Sequence, residues 1–237
     1  HLSLRRQRQM CIRDRVYMAI DTTGERLFTL LMNENSVHQL SFDGYLHESI
    51  LLPTTVSRHC RLAYDDITSS VWISNYEENL VYRYKLNDPL DSLITFTGVQ
   101  DPRDIVPDPL EGGCWVATKA GITIIDHNGS ISVYKNSLDI KDISLNSVNG
   151  DCYYVGKNSN TSQWETGRLI KQEGMQDENI LGNDYPYLHS IQVVPGQGPR
   201  GFLVSQAYAW ELIRFDHQWK KIGTMAGFNA RLDFALE

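Results

Sequence analysis

Long apolar segments and paired cysteines are both missing from this chain of 237 residues. No apolar run approaches the length that a bilayer-spanning helix needs, so no membrane span is predicted. Beyond the first fifteen residues three cysteines remain, and they lie far apart at Cys60, Cys114 and Cys152. An odd number of distant cysteines predicts neither a disulfide framework nor a zinc site. We expect them to be small buried hydrophobic side chains.

Catalytic signatures are also absent. The sequence contains no nucleophile elbow, no HExxH zinc motif, no phosphate-binding loop and no paired-cysteine zinc motif. Each of these motifs places reactive groups at a spacing that their chemistry requires. The sequence therefore identifies no catalytic residues, and a non-catalytic protein is the favoured interpretation.

Positive charge is scarce, because 22 Lys and Arg face 29 Asp and Glu, giving a formal charge of −7. Five of the arginines lie in residues 1–15, where residues 5–14 read RRQRQMCIRD. This run resembles a sequencing adapter translated in one frame, and we expect residues 1–15 to be an artefact. The remaining chain, 16–237, would then carry a formal charge of −11. Such an acidic surface argues against binding to nucleic acid or to anionic membranes.

Helical periodicity is missing as well, and a repeat of short strands takes its place. Each repeat has an anchor residue that ends an apolar strand and opens a turn. The anchors are Asp21, Asp65, Asp108, Asn146, Pro195 and Glu237, spaced by 44, 43, 38, 49 and 42 residues. Seven residues after each of the first five anchors comes an aromatic: Phe28, Trp72, Trp115, Tyr153 and Phe202. We expect these aromatics to occupy equivalent, buried positions on second strands.

Turn-forming residues separate anchor and aromatic in each repeat, such as Gly112 and Gly113. Later strands of the repeats are predicted at residues 36–40, 80–84, 122–125, 130–134 and 212–215. Four short strands in about forty residues are typical of a β-propeller blade. The predicted fold is all-β: a β-propeller over residues 16–237, truncated at both ends. It should contain about five four-stranded blades and one strand of a sixth, at residues 229–237.

One repeat resembles a known family. Residues 113–122, GCWVATKAGI, are similar to the two-component-regulator propeller repeat, although Ala117 replaces its usual glycine and Cys114 its usual aliphatic residue. Residues 21–44 are as similar to an NHL-type repeat. The resemblance implies a propeller fold and, through it, a role in sensing or binding.

Basic side chains recur where strands are predicted to begin. One lies five or six residues before every anchor after the first: His59, Arg103, Lys141, His189 and Arg231. In a propeller these positions would surround the mouth of the central channel. A basic ring in an acidic protein would attract an anionic ligand there. The alternative is that strand starts are simply polar and solvated.

The loops that join second to third strands should open on the same face, and they carry aromatic residues. These are Tyr76, Trp164 in a polar loop predicted over residues 157–167, and Tyr208. Loop aromatics can stack on sugar rings or peptides, and long loops are often functional. The alternative is that each aromatic caps the blade beneath it.

These patterns favour a ligand-binding or sensing propeller that takes a small anionic or carbohydrate-like molecule and needs no cofactor. A competing class is a metal-dependent enzyme of the gluconolactonase or lyase kind, in which Asp104, Asp142 and Asp233 would bind calcium. Neighbouring cations would oppose a metal at that position. A protein-interaction scaffold is a third possibility, because the fold alone permits it. The expected partner is therefore a small molecule or a protein.

Overall fold

The computed structural model consists almost entirely of short β-strands. It describes residues 16–56, 59–88, 92–134, 137–181, 188–193, 202–206, 211–216, 218 and 220–226. The expected artefact at 1–15 and the expected extra strand at 229–237 lie outside these ranges. Inside them the one helical element is a 3-10 turn at Lys171–Glu173, and no helix could span a membrane.

The strands form five antiparallel sheets, and in each sheet the strand order follows the chain. We call these sheets blades 1 to 5. Blade 1 contains β1 (Val16–Asp21), β2 (Arg26–Leu31), β3 (Ser36–Ser41) and β4 (Leu46–Leu51). Blade 2 contains β5 (Arg61–Asp65), β6 (Ser70–Asn75), β7 (Leu80–Lys85) and β8 (Leu93–Thr97). The strands predicted at 36–40 and 80–84 are β3 and β7.

The remaining three blades follow the same plan. Blade 3 contains β9 (Asp104–Pro107), β10 (Cys114–Thr118), β11 (Gly121–Ile125) and β12 (Ile131–Tyr134). Blade 4 contains β13 (Leu138–Leu145), β14 (Cys152–Asn158), β15 (Trp164–Ile170) and β16 (Gln176–Leu181). Blade 5 contains β17 (Leu188–Val193), β18 (Phe202–Gln206), β19 (Glu211–Phe215) and β20 (Lys221–Ala226). The prediction of four short strands per repeat is confirmed in all five.

The chain divides into two compact units, His1–Pro102 with blades 1 and 2, and Arg103–Glu237 with blades 3 to 5. Each unit has its own apolar core between its blades. Neighbouring blades within a unit meet through the first strand of the later blade, which contacts the first and second strands of the blade before it: β5 contacts β1 and β2, β13 contacts β9 and β10, and β17 contacts β13 and β14. The first strands therefore determine how successive blades are joined.

The anchor residues are explained by the turn that follows each first strand. Each anchor side chain accepts a backbone N–H from two or three residues further on, which stabilises the turn. The pairs are Asp21 with Gly24, Asp65 with Ile67, Asp108 with Leu110, and Asn146 with Val148. Only a short side chain with an oxygen acceptor can make this contact. The anchors Pro195 and Glu237 lie outside the described residues.

The predicted aromatics are buried in the first three blades. Phe28, Trp72 and Trp115 are fully buried. In blade 4 the expected residue Tyr153 is only half-buried, and its neighbour Tyr154 is the fully buried one. Successive side chains of a strand point to opposite faces. Both faces of blade 4 therefore carry an aromatic.

Phe202 takes a different position in blade 5. It begins β18 and pairs with Val193, the last residue of β17. In blades 3 and 4 this position belongs to Cys114 and Cys152. The connection between first and second strands is two residues longer in blade 5, so the seven-residue spacing fails there. The prediction that Phe202 is equivalent to Trp115 is wrong. The three cysteines Cys60, Cys114 and Cys152 are buried thiols, as expected.

Candidate functional site

The first strands of blades 4 and 5 each contain a β-bulge near their start. In blade 4 the bulged residue is Lys141, between the pairs Ile140–Gly156 and Asp142–Val155. In blade 5 it is His189, between the pairs Leu188–Gln206 and Ser190–Ser205. A bulge adds one residue to one strand and redirects its side chain relative to the regular alternation.

Arg103 occupies the same position in blade 3. Asp104 pairs with Ala117, and the Arg103 backbone N–H donates to the Ala117 carbonyl at 2.8 Å. Arg103 and Asp104 therefore both lie opposite Ala117, as in a bulge. Arg103, Lys141 and His189 are therefore equivalent residues of three consecutive blades. The recurrence of basic residues seen in the sequence coincides with a recurrent backbone irregularity in this unit.

Two of these basic side chains meet on one carboxylate. Arg103 Nη1 lies 2.8 Å from Asp139 Oδ1, and Lys141 Nζ lies 2.5 Å from Asp139 Oδ2. Lys157 on β14 is the cross-strand partner of Asp139. We call these four residues the Asp139 cluster. The exposed fractions of the Arg103, Asp139 and Lys141 side chains are 20%, 19% and 25%, so the charges are shielded from water but reachable.

The Asp139 cluster brings three basic residues near one carboxylate. Arg103 and Lys141 form ion pairs with Asp139, and Lys157 lies across the hairpin from it. Burial lowers the pKa of the Lys141 ammonium, the positive charges of Arg103 and Lys157 lower it further, and the attraction of Asp139 does not make up the difference. Burial is the largest of these causes, so the Lys141 ammonium lies in a shielded place with two other cations nearby.

Asp104 and Asp142, the proposed calcium ligands, join neighbouring blades. Asp104 Oδ2 accepts the backbone N–H of Ile143 at 3.2 Å, and Asp142 Oδ2 accepts that of Ile191 at 2.7 Å. Each carboxylate directly follows a bulged residue and reaches the first strand of the next blade. Asp233 lies outside the described residues, and within them no three metal-binding side chains come together. The calcium assignment stays a prediction.

Trp164 does not lie in a long loop. β14 continues to Asn158 and β15 begins at Trp164, so the loop predicted over 157–167 is only the turn at 159–163. The Asn158 side chain accepts the backbone N–H groups of Asn160 and Thr161, which lets a polar sequence close a tight hairpin. Trp164 pairs with Lys157 across the hairpin and packs half-buried against the core between blades 4 and 5.

His59 differs from the other basic residues. In blade 2 the pairing of β5 with β6 runs without a register shift from Arg61 onward. The residue equivalent to Arg103 and Lys141 is therefore the buried Cys60, not His59. The His59 ring is exposed and lies 5.2 Å from the Tyr76 ring, so a strand start and a second-to-third-strand loop do meet in this unit. Tyr208 and Arg231 lie outside the described residues, as does the His189 side chain.

Sequence inspection missed Asp139 and Lys157. Both residues lie outside the positions five or six residues before each anchor, where the basic residues recur. A symmetric hairpin over residues 138–158 about the turn at 146–151 would place Asp139 opposite Asn158, one residue away from its actual partner Lys157. The missing information was the bulge at Lys141, because it shifts the register by one residue.

A second charged network lies at the other end of the first strands in this unit. Buried Asp108 accepts hydrogen bonds from Lys171 Nζ at 2.7 Å and from Trp115 Nε1 at 2.9 Å. Burial raises the pKa of the Asp108 carboxyl, but Lys171, Trp115 and two backbone N–H groups hold it below its ordinary value. Because Lys171 belongs to blade 4, this network ties blades 3 and 4 together.

No known protein-family profile matches the chain, and no curated protein matches its sequence. Solved structures do match its fold. A chain of the nidogen/laminin complex has a TM-score of 0.65 at 14% identity, over 90% of this chain and 80% of that one. A streptogramin B lyase has a TM-score of 0.66 at 14% identity, over 89% and 68%. The Neurospora crassa Pan2 WD40 domain has a TM-score of 0.59 at 13% identity, over 83% and 59%.

These similarities are to β-propellers, and at such identities they show the fold alone. They agree with five sheets of four antiparallel strands each and almost no helix. The chain has a β-propeller fold.

Proposed function

We propose that this protein is a ligand-binding or sensing propeller that takes a small anionic ligand at the Asp139 cluster. The observation that carries the proposal is the meeting of Arg103 and Lys141 on Asp139, with Lys157 directly opposite. Two cations from neighbouring blades share one half-buried carboxylate, and a third lies across the hairpin from it. A surface strand start that was merely solvated would not need to gather its charges.

The surroundings of the cluster strengthen its attraction for an anion. Charges shielded from water interact more strongly than fully exposed ones, because the local dielectric constant is lower. The ion pairs with Asp139 already restrain the side chains of Arg103 and Lys141, so less side-chain entropy is lost on binding. Trp164, the neighbour of Lys157, adds an apolar surface beside the charges. A ring-shaped ligand with an acidic group, such as a sugar acid, fits both features.

The calcium-dependent enzyme remains an alternative that this geometry favours less. Asp104 and Asp142 each use an oxygen to bind a backbone N–H of the next blade. Arg103 and Lys141 directly precede them, and these cations repel a metal ion. The similarity to a streptogramin B lyase assigns no residue, because it is a similarity of fold.

The test is a calorimetric titration of the full chain with sulfate at low ionic strength. We expect saturable binding that weakens with added salt. The Arg103→Ala variant should lower the affinity about tenfold to a hundredfold, as loss of a charged hydrogen bond does. The matched control is Arg214→Ala, since Arg214 is exposed on β19. Absence of sulfate binding, or an equal loss in both variants, would overturn the proposal.

A further inference from the structure

Three side chains of blade 1 are joined in a row by hydrogen bonds. The His38 ring contacts Ser49 Oγ through Nδ1 at 2.9 Å and Glu34 Oε2 through Nε2 at 3.1 Å. This is the arrangement of a nucleophile, a general base and a carboxylate that orients the base. We propose that these residues hydrolyse small uncharged esters, with Ser49 as the nucleophile. The inference concerns blade 1 and is independent of the anion site at the Asp139 cluster.

The Glu34 carboxylate determines which nitrogen of His38 carries the proton. An ionised carboxylate can only accept a hydrogen bond, so Nε2 donates to Glu34. The Ser36 hydroxyl, 3.5 Å from the same nitrogen, can accept from it as well. In the neutral ring Nδ1 is then the acceptor, and it faces the Ser49 hydroxyl. His38 is therefore in the tautomer that can remove the Ser49 proton.

Strand pairing is what brings His38 and Ser49 together, because they are direct partners in the register of β3 with β4. The Leu52 N–H donates to the Asn35 carbonyl at 2.7 Å, so these two residues form a hydrogen-bonded pair of the ladder. Such pairs alternate with non-hydrogen-bonded ones, which makes His38 and Ser49 a pair of the second kind. Its Cα atoms are closer, about 4.5 Å apart, and its side chains meet.

The same alternation supplies a donor for the oxyanion of the reaction. In a non-hydrogen-bonded pair the backbone N–H of Ser49 points away from β3. β4 is the last strand of its sheet, so this N–H lies on the edge of blade 1 as the described residues define it. The backbone N–H of the nucleophile itself is one of the two oxyanion donors in serine proteases. The edge therefore offers a donor for the ester oxygen beside the nucleophile.

The surroundings of Ser49 suit an uncharged ester with a short apolar acyl group. Leu51 lies two residues along β4 on the same side, and Met18 shares a row across the sheet with His38 and Ser49. The exposed fractions of Leu51 and Met18 are 69% and 62%, so both can cover an acyl chain. Ser49 is exposed too, and a small ester reaches it directly. A negatively charged acyl group would be repelled by Glu34.

The reaction needs only the ester and water. Ser49 Oγ bonds to the carbonyl carbon while its proton passes to His38 Nδ1. The bond from that carbon to the alcohol oxygen then breaks, and the departing alcohol takes the proton, which leaves an acyl-serine. Water attacks this ester with the same nitrogen as base, releases the acid and restores the Ser49 hydroxyl. Glu34 is a positioning residue, which holds the ring and offsets the positive charge that forms on it.

The first experiment treats the full chain with diisopropyl fluorophosphate, which forms a phosphorus–oxygen bond to an activated serine and releases fluoride. We expect one adduct, located at Ser49 by peptide mass spectrometry. His38→Gln should lower the labelling rate at least about a hundredfold, because the general base is lost. The matched control is Ser132, which is also exposed on a fourth strand but pairs with Ile124, and it should stay unlabelled. An unlabelled Ser49, or equal labelling rates in wild type and His38→Gln, would overturn the proposal.

The second experiment measures turnover of p-nitrophenyl butyrate. Ser49→Ala should lower kcat/KM at least about a hundredfold, whereas Ser132→Ala should leave it unchanged. Equal activity of wild type and Ser49→Ala would overturn the proposal, even if Ser49 is labelled. Both serines are exposed, so neither variant removes a core contact.

Variants of Glu34 separate positioning of the base from support of the fold. Glu34→Ala should lower kcat at least about tenfold and leave KM unchanged, because the ester itself does not touch Glu34. Glu34→Asp keeps the carboxylate and should recover part of the lost kcat. An unchanged kcat in Glu34→Ala, or a fall that Glu34→Asp does not relieve, would overturn the role of Glu34 in orienting His38.

Discussion

Blades 2 and 4 begin their first strands in different ways, although both descend from the same repeat pattern. In blade 2, β5 pairs with β6 in unbroken register, and the position before Arg61 is filled by buried Cys60. In blade 4 the corresponding position is the bulged residue Lys141, whose side chain reaches Asp139. One extra residue converts an apolar core position into a charged surface position.

The next residue along the first strand shows the same contrast between the two blades. In blade 2 it is Arg61, whose guanidinium lies 5.4 Å from the Tyr17 ring of blade 1. In blades 3 and 4 it is Asp104 and Asp142, which bind backbone N–H groups of the next blade. Arg61 and the two aspartates each link the first strands of neighbouring blades. Only the second leaves the preceding residue available to carry a charge toward a ligand.

The largest expected difference between the two units is the loss of folding free energy when an anchor aspartate is replaced. Asp108→Ala should destabilise the protein by about 2–4 kcal/mol, because Trp115 Nε1 loses its acceptor and Lys171 keeps only its longer ion pair to the exposed Glu111. Asp65→Ala removes a turn-stabilising acceptor whose partners lie in the same turn, and should cost about 1–2 kcal/mol. Urea denaturation followed by tryptophan fluorescence compares the two. Equal costs would show that the interblade pair adds nothing to the turn.

The pH dependence of Asp108 gives a second measurement of the same pair. Its pKa lies below the ordinary value of 3.8 in the folded protein. A carboxyl with a lowered pKa contributes stability above its unfolded pKa and loses it as the pH falls through the folded pKa. The stability gap between wild type and Asp108→Ala should therefore narrow below about pH 4. A gap that stays constant down to pH 2 would contradict the assignment.

A smaller effect is expected when blade 4 is made to resemble blade 2. Deleting Lys141 removes the bulge and makes the pairs Ile140–Gly156 and Asp142–Val155 consecutive, so the register of β13 with β14 is kept. Leu138 and Ile140 stay on the core side, and the deletion should cost about 1–2 kcal/mol through the altered twist of the strand. Lys141→Ala keeps the register and should cost less than about 1 kcal/mol. Urea denaturation of both variants tests this, and a deletion that costs at least about 3 kcal/mol more than the alanine variant would contradict the assigned pairing.

The sequence was sufficient to predict the fold because its signals are local. Apolar strands, turn formers and buried aromatics recur within each repeat, and each is recognisable without knowledge of another blade. The error at Phe202 arose where a connection became two residues longer, which an anchor-based count cannot detect. The misplaced loop around Trp164 arose because a polar composition hid a tight hairpin.

The candidate site was only partly predictable because its geometry depends on register. The spacing identified Arg103 and Lys141, but it also included His59, which lies one residue away from the equivalent position. Asp139, which brings the two cations together, lies seven residues before its anchor, and among the anchors after the first only Asp108 also has an aspartate at that offset, Asp101. A bulge is a property of two paired strands, so one strand read alone does not reveal it.

The smallest expected effect separates the two roles of the aspartates that follow the bulges. Asp142→Asn keeps an oxygen that can accept the Ile191 N–H, so its stability should change by less than about 1 kcal/mol. Asp142→Leu fills similar volume without an acceptor and should cost about 1–3 kcal/mol. If these residues only join blades, calcium chloride should leave the melting temperature of wild type and Asp142→Asn unchanged. A calcium-dependent rise that disappears in both Asp104→Asn and Asp142→Asn would contradict this, since a bound metal stabilises only the state that binds it. The cations that precede these aspartates would then have to turn away from the metal, and the anion site at Asp139 would lose its main support.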